Sequence, residues 1–148
     1  MLINGNVTLK GVRPMEYKRP RPLRTIPPDG GQAAWRAAEG AVHRHILQQG
    51  YQPVARNVRS RYGELDIVAR DGDAMVFLEV KARRGSDALL AGSASVNPRK
   101  RARLRCMAAW YLGATGMPAN TVCRFDVALV ILDGDGRPAA VQVFQDAF

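Results

Sequence analysis

The stretch GELDIVARDGDAMVFLEVKAR, Gly63 to Arg83, is the segment that decides the fold. Two runs rich in Val, Ile, Leu and Phe flank an Asp71-Gly72 pair, a short-range signature of a β-hairpin. A period of two sets Glu64, Asp66 and Val68 on one face of the first strand and Leu65, Ile67 and Ala69 on the other. On the second strand Val76, Leu78 and Val80 share a face, opposite Phe77, Glu79 and Lys81. With Asp71 and Gly72 as the two turn residues, Asp66 stands across from Phe77 and Glu64 across from Glu79. The Asp66 and Glu79 carboxylates then meet diagonally on one face.

Two neighbouring carboxylates repel, so either one pKa rises or a cation sits between them. A hard divalent ion such as Mg²⁺ takes one or two carboxylates and completes its octahedron with water, carbonyl and phosphate oxygens. Lys81, projecting beside Glu79, is placed to orient a water or offset charge on a phosphoryl group. These are the parts of a phosphodiester hydrolase. The alternative is a solvated sheet face laced with cross-strand ion pairs, in which Glu64 facing Glu79 is unfavourable.

Working outward, the helical period of Trp35, Ala38, Val42 and Ile46 predicts a helix from Gln32 that stops at Gly50. A strand over Pro53 to Val58 precedes the hairpin strands, Glu64 to Arg70 and Met75 to Ala82. A Gly, Ser and Ala-rich loop, Gly85 to Val96, leads to Pro98 and a second helix of roughly Arg99 to Leu112. Strands Val122 to Leu132 and Ala139 to Phe144 follow, joined by DGDGRP. That joint is a turn and not a calcium loop, because its fifth and twelfth positions, Arg137 and Phe144, are not the oxygen ligands required. Helix, three strands, helix and two strands predict an α/β domain with a mixed sheet.

Residues 1–30 carry five of the nine prolines and six basic residues, and read as an extended, disordered basic arm. Met15 offers an alternative start within it. The 148 residues hold 22 Lys and Arg against 13 Asp and Glu, a net charge of +9, so polyanions are the natural partners. No apolar run reaches the roughly 20 residues of a membrane span, and no secretory signal is visible, which points to the cytoplasm. Cys106 and Cys123 form neither a C-x-x-C pair nor a disulfide framework, and read as ordinary half-buried thiols. Trp35, Trp110, Tyr111 and Phe125 fall at core-like spacing. His43 and His45, two apart on a helix, do not share a face and make no zinc pair. Asp126 in RFDV reads as the ion-pair partner of Arg124 or another arginine.

The strings RNVRSRYGELDIVARDGDAMVFLEVKAR, SVNPRKRARLR, RFDVALV and VFQDAF occur in that order, and the chain from about Trp35 to Phe148 resembles the YraN-like family of uncharacterised proteins. That family is similar to a branch of the PD-(D/E)XK nuclease superfamily close to Holliday junction resolvases. The resemblance implies a restriction-endonuclease-like core over residues 31–148, a mixed β-sheet flanked by helices. It implies Asp66 as the motif's aspartate, Glu79 as its acid, Lys81 as its lysine, and the Val80 backbone carbonyl as a further metal ligand, with Mg²⁺ or Mn²⁺ as cofactor. Glu39 matches the helical glutamate these nucleases direct at the metal; the alternative is a surface pair with Arg36 or His43. Glu64 fits the family's Gly-Glu-x-Asp pattern, as a second-metal residue or a rim charge. The sequence departs from the family at Ala38, where glycine is usual, and over Arg84 to Ser95, which lacks an aromatic-glycine pair.

The second helix opens RKRARLR, five cations in seven residues at the positive end of the helix dipole. Local stability opposes that choice, whereas phosphate binding favours it. Lys100 aligns with Leu104, Ala108 and Tyr111 and reaches inward over the sheet; the resemblance gives it a place at the edge of the site. Arg99, Arg101 and Arg103 stay outside, and Arg56, Arg59 and Arg61 add a second basic strip. The expectation is therefore a metal-dependent endonuclease acting on DNA, with branched or flapped structures as the substrate class, and a homodimer from the resolvase likeness. The alternatives are a nucleic-acid-binding module of the same fold without hydrolysis, or an interaction protein using the basic arm.

Overall fold

A computed structural model describes residues 31–85 and 94–148. The basic arm, 1–30, and most of the Gly85 to Val96 loop lie outside the described residues. The elements run α1 (Gly31–Gln48), β1 (Gln52–Ser60), β2 (Gly63–Asp71), β3 (Ala74–Arg84), α2 (Pro98–Ala114), β4 (Cys123–Leu132) and β5 (Pro138–Phe144). The five strands form one sheet in the order β1-β2-β3-β4-β5. Neighbours are antiparallel except β3 and β4, which are parallel and joined by α2 as the crossover.

Each helix covers one face of the sheet. Ala38, Val42 and Ile46 of α1 pack on Ile67, Ala69, Val76, Leu78, Val80, Ala128 and Val130. Leu104, Met107, Ala108 and Tyr111 of α2 pack on Leu65, Val68, Met75, Phe77 and Val127. This is the α/β architecture, a mixed sheet flanked by helices, expected of a restriction-endonuclease-like core. Burial on both faces explains why β3 and β4 read as nearly continuous apolar runs. Among the described residues no helix is long and apolar enough to cross a membrane.

Both helices stop and start on chemistry visible in the sequence. Gly50, at φ 87°, closes α1, with its N–H on the Leu47 carbonyl and the Tyr51 N–H on Ile46, the paired bonds of a Schellman cap. Asn97 caps α2 by accepting the Lys100 N–H at 2.9 Å, with Pro98 following it.

The hairpin register departs from expectation by two residues. Asp71 pairs with Ala74, so Gly72 (φ 57°) and Asp73 make the turn, and Val68 rather than Asp66 stands opposite Phe77. The left-handed conformation belongs at a position without Cβ, and a turn beginning at Gly72 supplies it. A shift of two does not by itself move Asp66 and Glu79 to opposite faces, and the two carboxylates stay close enough for Glu79 to repel Asp66. Glu64 does not face Glu79; it pairs with Arg59 on β1, across a 3.2 Å ion pair.

Three smaller expectations are also corrected. Trp35 is 37% exposed, because it falls in the first turns of α1 outside the buried stripe. Cys106 and Cys123 are both exposed rather than half-buried. Leu65 and Ile67 do not share a face: Leu65 lies in the α2-side cluster and Ile67 in the α1-side cluster. Strict alternation breaks between them, at Asp66.

Candidate acidic site and its basic rim

Four charged side chains are buried among the described residues: Glu39, Asp66, Glu79 and Asp126. The first three belong together. Asp66 sits where β2 parts from β3; the last ladder pair is Ile67 with Leu78, one step short of Asp66 and Glu79. Where the ladder stops, the Asp66 carboxylate takes over as acceptor, with Oδ2 receiving the Val80 N–H at 2.8 Å. A side chain thus satisfies a backbone donor that the neighbouring strand no longer reaches.

That single bond does not offset the burial. Desolvation first, then repulsion from Glu79, pushes the Asp66 pKa from its ordinary 3.8 up to about 7; Glu39 adds a smaller repulsion, and the Val80 N–H and Lys100 oppose it. The Asp66 and Glu79 carboxylates therefore share one electrostatic environment, as the hairpin reading requires. Glu79 is 6% exposed and its Oε1 accepts from Lys100 Nζ of α2. Lys100 thus reaches inward from the helix start, as its alignment with Leu104 and Ala108 requires.

Glu39, 7% exposed on α1, turns inward rather than to Arg36 or His43. Its Oε2 accepts from Asn57 Nδ2 at 3.2 Å, and its Oε1 is buried without a hydrogen-bond partner. Asn57 was not singled out from the sequence. The available signal was an Asn inside the strand run PVARNVRS, a residue with poor strand propensity but tolerant of left-handed backbone. Lys81 lies near Glu79, but its ammonium donates to the Ser95 carbonyl, and burial followed by the Arg83 charge lowers its pKa. That carbonyl partner also lay outside the sequence reading.

An oxygen-only donor set of two adjoining buried carboxylates fits a hard divalent cation. The bare Glu39 Oε1 is consistent with it. Among the described residues no three His, Cys, Asp or Glu side chains come together as a complete cage. Glu39 therefore stands behind the Asp66 and Glu79 pair, felt by Asp66 as charge.

The rim is basic. A cleft of about 420 Å³ opens between the β1–β2 turn, with Arg59, Ser60, Gly63 and Glu64, and α2, with Lys100 and Arg103. Gly63 permits the close approach: a Cβ there would lie 3.0 Å from Arg103 Cδ. Arg99 and Arg103 are exposed, and Arg61 lies over its neighbour Tyr62 at 4.8 Å. Arg101 does not stay outside: it is half-buried, donates to the Val96 carbonyl at 2.6 Å and covers the Phe148 ring. The apolar C-terminal ring makes that inward position favourable. Arg101 therefore anchors α2 rather than lining the rim.

Asp126 is the fourth buried acid, and it belongs elsewhere. It is fully buried and holds Arg124 Nε at 2.9 Å, Tyr51 OH at 3.1 Å and the Asp146 N–H at 3.0 Å.

Comparison with known proteins agrees with the resemblance found in the motifs. The family model described as "Uncharacterised protein family UPF0102" matches residues 38–130, a span that contains Glu39, Asp66, Glu79, Lys81 and Lys100. A UPF0102 protein of Pelotomaculum thermopropionicum is 40% identical over 120 residues, 81% of this chain and 98% of that protein. One from Moorella thermoacetica is 44% identical over 110 residues, 74% of this chain and 90% of the relative. A third, from Xanthomonas euvesicatoria, is 41% identical over 121 residues, covering 82% and 95%. With this extent of match, the chain belongs to the UPF0102 family.

Proposed function

We propose that the protein is a divalent-metal-dependent nuclease that hydrolyses phosphodiesters of DNA, with branched or flapped DNA as the substrate class. One observation carries the reading: Asp66 and Glu79 are buried side by side, with Asp66 pushed up to about 7, under a basic rim. A module that only bound nucleic acid would gain nothing from buried acids beside a basic cleft, joined to it through Lys100, since they repel phosphate unless a cation intervenes.

The Asp66 and Glu79 carboxylates would hold Mg²⁺ or Mn²⁺, with the Val80 carbonyl as a further oxygen and Glu39 behind the pair. The bound ion supplies Lewis-acid polarisation of a phosphoryl oxygen and a lowered pKa for water. Lys81 spends one N–H on the Ser95 carbonyl, which fixes its ammonium, and keeps two donors to orient water or a phosphate oxygen. Lys100, which reaches Glu79 from the start of α2 and lines the cleft, would meet the substrate backbone. Arg59 and Arg103, on opposite walls of the cleft, bind flanking phosphates without reading sequence.

The test is cleavage of labelled four-way-junction, flap, duplex and single-stranded DNA with Mn²⁺ or with EDTA, comparing wild type with Asp66→Asn and Lys81→Ala. Metal-dependent cutting that drops by at least about a hundredfold in either variant is the expected result. Salt-sensitive binding with no cutting of any substrate would assign a binding module instead. Cutting indifferent to both substitutions rejects the site.

A further inference from the structure

Asn57 is the one residue inside β1 with a left-handed backbone, at φ 53°. For most side chains that conformation costs about 1–2 kcal/mol, and asparagine is among those that bear it best. Strain of this kind persists where the surroundings hold it, and it concentrates at functional sites. The neighbouring pairs, Arg56 with Ile67 and Val58 with Leu65, leave Asn57 across from Asp66. Its side chain crosses to α1 and donates to Glu39 Oε2 at 3.2 Å, while Oε1 of the same carboxylate is buried and bare. Three features thus coincide: a strained residue, its contact with a buried acid, and a free oxygen on that acid next to the Asp66 and Glu79 pair.

We infer that Asn57 is a positioning residue: its amide holds one oxygen of Glu39 and so fixes that carboxylate behind the Asp66 and Glu79 pair, where its charge supports the divalent cation of the acidic site. The inference rests on the metal site proposed above. A buried carboxylate with neither oxygen bonded has no fixed orientation and swings toward water, away from the site. With Oε2 held by the Asn57 N–H donor, the orientation of the carboxylate is set. Groups behind metal ligands commonly act in this way, and their loss typically weakens metal binding by about 10–100-fold.

The experiment is a double-mutant cycle read by Mn²⁺ titration calorimetry, using wild type, Asn57→Gly, Glu39→Gln and the double variant, each with a melting curve. Glycine keeps the left-handed backbone without strain and removes the donor, so the melting curve reads what the lost hydrogen bond costs the fold, separately from Mn²⁺ binding. Asn57→Gly is expected to weaken Mn²⁺ binding at least about tenfold, and to add nothing further once Glu39 is glutamine. Any general loosening of β1 would act in both backgrounds and cancel from the cycle. Additive losses, or an Asn57→Gly protein that binds Mn²⁺ like wild type, would overturn the role of Asn57 and leave the Asp66 and Glu79 site standing. A wild type that binds no Mn²⁺ would overturn both.

Discussion

Among the described residues the protein buries acids in two places and treats them in opposite ways. At the start of β4, Asp126 is fully enclosed and saturated: Arg124 grips it through Nε and Nη2 at 2.9 Å each, while Tyr51 and the Asp146 N–H complete the shell. Arg124 extends the network to Asp71 at 2.8 Å, and Gln145 donates to the Tyr51 oxygen at 2.8 Å. At the β2–β3 split the acids are just as buried but poorly satisfied. Asp66 has one N–H, Glu39 has one amide and a bare oxygen, and Glu79 relies on a lysine that is half exposed. Burial alone therefore does not distinguish a structural acid from a functional one. Saturation does: a filled shell leaves nothing for a ligand, and an unfilled one stores repulsion that a cation can relieve.

The largest effect that would sharpen this contrast is on stability. Arg124→Met strands Asp126 and leaves Tyr51 and Asp71 without their guanidinium, so urea denaturation should show a loss of about 3–5 kcal/mol. Its pKa is raised chiefly by the Asp126 hydrogen bonds, so the cation stays charged at any working pH. A loss under about 1 kcal/mol would mean that the network is not the closed unit described here.

At the acidic site the sign reverses. Asp66 carries a raised pKa in the fold, about 7 against an ordinary 3.8, so between pH 4 and 7 the native state holds more protons than the unfolded chain. The Asp66 contribution to stability in EDTA is therefore fullest below pH 4 and is lost as pH rises through about 7. Asp66→Asn removes that dependence, and its melting temperature at pH 8 in EDTA should exceed that of wild type. Mn²⁺ should then raise the wild-type melting temperature, increasingly with pH because its ligands must be deprotonated, with a stabilisation of about 2.7 kcal/mol at a hundredfold excess over Kd. The variant should gain little. An Asp66→Asn protein that melts below wild type in EDTA would break the comparison, because Asp66 would then be as structural as Asp126.

Much of this arrangement was legible in the sequence, for local reasons. Every helix and strand came from periodicity and from end signals such as Gly50 and Pro98, which act within a few residues. The neighbourhood of Asp66 and Glu79 followed because a register error of two conserves the face. What escaped depended on tertiary contacts. Leu65 and Ile67 part company at the strand split, which alternation cannot foresee. Asn57 meets Glu39 across 18 residues, and Arg101 turns in beneath Phe148 across 47, because helix α1 and the C-terminal ring pack there. Tyr51 and Gln145, 94 positions apart, join only once β5 is in place.

The smallest stability effect should come at the cleft wall, where the difference between structural and ligand-directed charge can still be read. Arg59 and Glu64 form an ion pair at 3.2 Å, with side chains 39% and 59% exposed, and pairs this exposed contribute about 0–1 kcal/mol. Arg59→Ala should therefore leave the urea midpoint nearly unchanged. The phosphate contact proposed for Arg59 is a different quantity, because each neutralised phosphate would release a counterion. DNA binding measured across salt concentrations should weaken, with the slope of log K against log salt reduced by about one. A variant that unfolds readily but binds with the wild-type slope would make Arg59 part of the scaffold, like Arg124. One that folds normally and loses the slope makes it part of the surface that meets nucleic acid, and the cleft beside Lys100 and Arg103 becomes the path along which a backbone reaches the two acids.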